Sequence, residues 1–185
     1  DLHSFPTRRS SDLSLVIDVT STNALTVLVK YRAAPDIQSA PVVTFGGQAA
    51  VTFDSGICTD TSVDRQLSAY YSFIYGDRKR GIYAVSGTPT LSADGGYLVC
   101  ARKTNACLAY VGDSLDSMSG GECTEGMQIS NSKLKKVGIG GQTELCSNDE
   151  NMVPFTGFVV EKVVVFNGYY TPDQILYVPN PEDGS

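Results

Sequence analysis

The sequence predicts an all-β domain, a sandwich or barrel of antiparallel strands, and three observations lead there. Apolar residues alternate with a period of two along most of the chain, turn-forming residues recur about every 8 to 12 positions, and one short segment carries helix-start chemistry. Leu25 to Tyr31 shows the alternation best: Leu25, Val27, Val29 and Tyr31 lie on one face, Thr26, Leu28 and Lys30 on the other. Pro41 to Phe45 and Ala49 to Phe53 flank Gly46-Gly47-Gln48 and read as a hairpin. Further strands are expected at Tyr70 to Tyr75, Gly81 to Val85, Gly96 to Ala101, Cys107 to Val111, Leu134 to Ile139 and Phe155 to Phe166. Phe158 to Phe166 is apolar except at Glu161 and Lys162, so both faces should be covered and the strand central. Thr171-Pro172-Asp173-Gln174 then offers an N-cap hydroxyl, proline at the first helical position, an acid in the first turn and Gln at N3, and the helix must end before Pro179.

Residues Asp1 to Leu13 (DLHSFPTRRSSDL) read as one translation frame of a common short-read sequencing adapter, matching at every codon. On this reading the biological chain starts at Ser14, and residues 1 to 13 are expected to pack against nothing. Residues 14 to 178 then form one domain with a shortened N-terminus, large enough for a single core, and residues 179 to 185 are a linker or tail. His3 is the only histidine. Residues 14 to 185 therefore hold no imidazole for Ser-His-Asp or Cys-His catalysis or for a histidine zinc site.

The net charge of −6 survives removal of the first segment, because Arg8 and Arg9 cancel Asp1 and Asp12. Only two short basic clusters occur, Arg78-Lys79-Arg80 and Lys133/Lys135/Lys136, at expected turns or strand ends; a nucleic-acid partner is not expected. No stretch reaches the ~20 apolar residues of a membrane span. Cys58, Cys100, Cys107, Cys123 and Cys146 lean towards an oxidising compartment, extracellular or cell surface, though an odd count leaves one thiol without an intrachain partner. A hairpin loop over Arg102 to Asn105 would set Cys100 opposite Cys107, and Cys123 with Cys146 would close a loop around Lys136 to Ile139. Reduced, buried cysteines are the alternative.

Tyr70, Tyr71, Phe73 and Tyr75 form an aromatic cluster whose flat rings suit the C–H faces of sugars, so Tyr70, Tyr71 and Tyr75 are candidate ligand-binding residues. The same rings at strand period also suit cross-strand packing.

Lys136-Val-Gly-Ile-Gly-Gly141, an acidic loop, Phe155-Thr-Gly-Phe-Val-Val-Glu-Lys-Val-Val-Val-Phe-Asn167 and Thr171-Pro-Asp-Gln-Ile175 follow one another in that order. This run resembles the C-terminal end of laminin-G-like and pentraxin-like domains of the concanavalin A-like lectin/glucanase superfamily. The family pattern is a strand ending Ile-Gly, a loop, a strand Phe-x-Gly-x-Ile-x-x-Val-x-Ile-aromatic-Asn, and a helix opening Ser-Pro-Asp-Glu-Ile. Upstream, Leu25 to Tyr31, Pro41 to Gly47 and Leu108 to Asp113 are similar to the family's early strand, its Ile-Val-Ser-Gly-Gly strand and its Leu-Tyr-Val-Asp-Gly strand and turn. The chain departs from the pattern in having no tryptophan, with Tyr97 in one tryptophan place, and in reading Gly112-Asp113 at that turn. Leu15 to Val19 stands as a remnant of the N-terminal strand, which in such folds pairs near the C-terminal one.

The resemblance implies a concanavalin A-like jelly-roll sandwich with one short helix near the C-terminus. It implies a noncatalytic module of a larger extracellular protein, binding glycan or an extracellular protein ligand. An accessory domain of a secreted carbohydrate-active enzyme and a structural surface-fibre domain are the alternatives. Calcium is the one cofactor it brings, through Gln142 and Glu144 at the family's ligand loop with charge from Asp149 and Glu150, although six to eight oxygens are needed and one loop supplies too few. Superfamily glucanases carry paired glutamates on one strand, Glu-x-Asp-x-Glu or Glu-x-Asp-x-x-Glu. No such run exists here, and Glu161 is the only acid in the long strand.

Overall fold

The computed structural model describes residues 3–5, 15–46, 55–72, 80–125, 133–140 and 153–176. Two antiparallel sheets face each other across a shared core. The first runs β1 (His3–Phe5), β12 (Val159–Asn167), β3 (Leu25–Ala33), β8 (Gly96–Lys103), β9 (Ala106–Ser114), β10 (Ser117–Cys123). The second runs β2 (Leu15–Thr22), β11 (Leu134–Ile139), β4 (Pro41–Gly46), β5 (Ser55–Thr59), β6 (Leu67–Ser72), β7 (Arg80–Ala84). A short helix, α1 (Pro172–Ile175), follows β12. This is the β-sandwich expected from the period-two pattern.

Strand β3 behaves as its alternation requires. Leu25, Val27, Val29 and Tyr31 are buried against Val43, Phe45, Ile57 and Leu67 of the facing sheet, which removes their apolar surface from water. Lys30 and Arg32 point outward and both reach Glu161 at 3.3 Å. Thr26 departs from the pattern by being buried on the outer face. Its hydroxyl donates to the Gly168 carbonyl at 2.7 Å and accepts from the Tyr170 N–H at 2.9 Å, tying the chain after β12 down onto the sheet. There α1 seats Ile175 among Val99, Ala101, Leu108, Val164 and Phe166. Its start follows the sequence signal, with Gln174 Oε1 accepting from the Thr171 N–H at 2.9 Å.

Both faces of β12 are covered as expected: Val163 and Val165 join the main core, and Val164 and Phe166 lie under α1. One edge pairs with β3, the other with β1, His3 to Phe5 opposite Val165 to Val163. That pairing corrects the expectation that residues 1 to 13 pack against nothing. An edge strand presents unpaired N–H and C=O groups, which any extended segment within reach can satisfy.

Several sequence expectations shift in register or partner. Strand β4 pairs with β5 and β11, while Ala49 to Phe53 lies outside the described residues. Strands β5 and β10, reading SGICT and SMSGGEC, carry too few large apolar residues to announce themselves. The N-terminal remnant extends to Thr22 as β2 and pairs with β11, not with the C-terminal strand. Gly112 and Asp113 are not a turn. They belong to β9, and the chain reverses at Leu115-Asp116.

The β8–β9 hairpin reverses on Thr104-Asn105 alone, with Lys103 opposite Ala106. A two-residue loop in place of four moves every pair along by two positions, so Cys100 faces Ala109 and Cys107 faces Arg102. The expected Cys100–Cys107 bond is thereby corrected. Instead Cys107 stands directly opposite Cys123 on β10. Cys58, Cys100, Cys107 and Cys123 are buried thiols, and burial pushes Cys107 up to about 12. Cys146 lies outside the described residues. Arg102 lies fully buried between the sheets, donating from Nε to Ser55 Oγ at 3.0 Å and from Nη1 to the carbonyls of Lys103 and Ala106 at 2.8 and 3.1 Å.

Two outcomes test this fold. Nonreducing peptide mapping of oxidised protein should join Cys107 to Cys123 and never Cys100 to Cys107, because directly opposed antiparallel residues sit about 4.5 to 5.5 Å apart at Cα, within disulfide range. Thr26→Val, which keeps the shape but leaves the Gly168 carbonyl and Tyr170 N–H without their partner, should cost about 1 to 3 kcal/mol in urea denaturation.

Candidate functional site

The segment from Val85 to Gly95 leaves β7, at one edge of the second sheet, and crosses to β8 in the first. Backbone bonds pin it along its length. The Leu67 N–H donates to Pro89 O and the Leu91 N–H to Arg65 O, both at 2.8 Å, while Ala34 N–H reaches Ala93 O at 3.2 Å. Val85, Pro89 and Leu91 are buried beneath it. At its tip Gly87 and Thr88 have φ of 78° and 42°. The left-handed region is costly for a β-branched residue, so Thr88 is held there by its surroundings. The tip also lies hard on β10: a Cβ on Gly87 would come within 2.8 Å of the Gly120 carbonyl oxygen, and one on Gly121 within 2.7 Å of the Ser86 Cβ.

Between this segment and the β9–β10 hairpin lies a cleft of about 300 Å³, within the range of small-molecule sites. Tyr31, Pro89 and Val111 form its buried floor, and Thr88, Thr90, Ser92, Asp113, Ser117 and Ser119 its exposed rim. Strand period puts them there. Val111 and Asp113 share a face of β9, Val111 inside the sandwich and Asp113 beyond its end, while Ser119 sits opposite Val111 on β10. Ser117, two residues before Ser119 on β10, joins the same rim, and the register shift beside it leaves Asp113 as the extra residue on β9.

Tyr31 links core to cleft. Its hydroxyl accepts from the Ser92 N–H at 3.0 Å and keeps its own proton to donate. Burial raises its pKa, the Ser92 bond opposes that, and the Asp113 charge adds to the rise, so the phenol stays neutral. Asp113, Ser117 and Ser119 make no side-chain hydrogen bond or ion pair with another described residue. The cleft thus combines an apolar base, hydroxyls that donate and accept, and one carboxylate that only accepts. Such a set matches a polyhydroxylated molecule with an apolar C–H face.

The sites expected from sequence fall elsewhere. Tyr70 is fully buried, with Ser68 on the face of β6 away from the main core, so it offers no ring to a sugar; this corrects its assignment as a platform residue. The backbone of Tyr71 sits in β6 opposite Ser55 and Gly81. Tyr75 and the calcium-loop residues Gln142, Glu144, Asp149 and Glu150 lie outside the described residues. Among the described residues no three His, Cys, Asp or Glu side chains are grouped to hold a metal. Glu161 is engaged by Lys30 and Arg32. The cleft residues went unread in the sequence. Their signal was the alternating hydroxyls of Thr88-Pro89-Thr90-Leu91-Ser92 and Ser117-Met118-Ser119, which resemble solvated strand faces and loops until they are brought together.

Solved structures share this architecture. A Ruminococcus gnavus IT-sialidase CBM40 bound to α2,3-sialyllactose is similar over 91% of this chain and 98% of its own, at 10% identity and a TM-score of 0.53. The K499G mutant of NanB sialidase from Streptococcus pneumoniae matches 96% of this chain at 12% identity and a TM-score of 0.54, with 28% of its own length covered. Trypanosoma rangeli sialidase matches 82% at 14% identity and a TM-score of 0.50, and this chain spans only 22% of its length. At these identities the likeness is one of fold alone: an antiparallel β-sandwich. No family model matches the chain, and no curated protein does.

Tyr31→Phe should cost about 1 kcal/mol by removing the acceptor of the Ser92 N–H. Because the folded Tyr31 pKa is raised, its contribution holds below the unfolded value near 10 and is lost as pH rises through the folded value. Alkaline denaturation above about pH 10 should therefore be less steep in Tyr31→Phe than in the parent.

Proposed function

We propose that this chain is a noncatalytic carbohydrate-binding module of a larger extracellular protein and that the cleft beside Tyr31 is its saccharide site. The observation that carries the reading is the cleft's composition: an apolar floor under a rim of hydroxyls, with Asp113, Ser117 and Ser119 unengaged by other described residues. A sugar ring needs both halves of that arrangement, apolar contact for its C–H face and acceptors for its hydroxyls. The fold supports the reading, since the Ruminococcus gnavus CBM40 of similar architecture is described bound to sialyllactose. Binding without turnover fits this lining: glycosidases of the two-carboxylate kind hold a pair about 5 to 9.5 Å apart, and Asp113 is the only carboxylate among the described lining residues.

A second reading, an accessory domain within a secreted carbohydrate-active enzyme, is favoured by the 22 and 28% of sialidase chains over which this fold is matched. The two agree on the cleft and differ in what adjoins it.

Titration calorimetry with oligosaccharides that score on a glycan array should give weak binding without product formation. Asp113→Ala together with Ser119→Ala should reduce affinity at least about tenfold, the loss of 1.4 kcal/mol or more expected when hydrogen bonds to a charged group disappear. Unchanged affinity in that double variant, with its melting temperature preserved, would move the site elsewhere.

A further inference from the structure

We infer that the cleft selects glycans with uncharged ends over sialylated ones; this rests on the cleft being the saccharide site. Asp113 is the only charged side chain among the described residues lining it, and it is exposed at the rim, in no ion pair with another described residue. The flanking turns add Asp94 and Asp116, also exposed, and Asp116 accepts from Ser114 Oγ at 2.6 Å. Among the described residues, the cations of the neighbouring segments are turned to other partners. Lys30 and Arg32 flank Tyr31 in sequence, but strand alternation sends them to the opposite face, where Glu161 holds both. Arg65 lies beneath the crossing segment and gives its Nε to the Ala34 carbonyl at 3.0 Å.

A ligand carboxylate entering this cleft would meet a fixed negative charge and shed water with no cation among the described lining residues to replace it. A neutral sugar meets a different environment. Its hydroxyls donate to Asp113, exchange bonds with Ser117, Ser119 and Thr88, and accept from the Tyr31 phenol, which burial and Asp113 together keep protonated. Asp113 thus has two roles: it accepts hydrogen bonds from a neutral ring and repels an acidic one. This sets the chain apart from the similarly folded domain described with sialyllactose.

The test is a glycan array printed as matched pairs, each neutral oligosaccharide with and without a terminal sialic acid, followed by calorimetry on the pairs that score. The neutral member should bind at least about tenfold more tightly than its sialylated partner at low ionic strength, the effect of one like-charge contact near a protein surface. Asp113→Lys, checked for an unchanged melting temperature, should reverse the order. Equal or tighter binding of the sialylated member by the parent overturns the inference while leaving the saccharide site standing. Failure to bind either member overturns both the inference and the functional reading beneath it.

Discussion

Strand β3 is hydrogen-bonded to β12 on one side and β8 on the other, and its register with both decides which side chains enter the space between the sheets. A slip of one residue would exchange the two faces. Lys30 and Arg32 would then be driven into the apolar interior and Leu25, Val27, Val29 and Tyr31 out into water, so burial enforces one register. The same register delivers Tyr31 to the end of the core, where its ring is part of the apolar interior and its hydroxyl reaches the Ser92 N–H. Core and cleft therefore share a residue. The floor of the candidate site at Tyr31 and its β9–β10 wall are thereby part of the sandwich itself.

Closure of the open side depends on a second constraint, the approach of two backbones. The tip of the segment after β7 meets β10 at Gly87 against Gly120 and at Ser86 against Gly121, and a side chain on Gly87 or Gly121 would collide across that contact. Glycine is needed there for space, and at Gly87 for its left-handed conformation as well. Without that contact the edges of the two sheets would stand apart, and the rim hydroxyls of Thr88, Thr90 and Ser92 would have no opposite wall. Elsewhere a polar group bridges the sheets. Arg102 reaches Ser55 from the other sheet and caps two carbonyls of its own hairpin, which satisfies a guanidinium that would be costly to bury unpaired.

Much of the architecture was legible because apolar alternation is a local property. Leu25 to Tyr31, Gly96 to Ala101 and Leu134 to Ile139 all lie within strands, and Thr171 to Gln174 opens the helix it announces. What failed was pairing. The turn at Thr104-Asn105 is two residues shorter than expected, and that change moved Cys107 from Cys100 to Arg102 and Cys123. Strands β5 and β10 were invisible because SGICT and SMSGGEC hold few large apolar side chains, and their place is set by ladder pairing with β4, β6 and β9. Tyr70 misled for the opposite reason. Its aromatic neighbours suggested a surface platform, whereas its own position is buried.

By itself, the sequence determined that the domain is all β, which face of β3 is apolar, that β12 is covered on both sides, and where the helix begins, since each follows from side chains within a few residues of one another. The tertiary structure alone decided strand partners, the company each cysteine keeps, and the meeting of Tyr31, Thr88, Asp113 and Ser119 around one cleft. Those residues come from three separate stretches of chain and carry no shared pattern. Their proximity arises from backbone pairing across sheets and from a glycine-to-glycine contact, and hydrogen bonds between distant strands leave no periodic trace in the sequences they join.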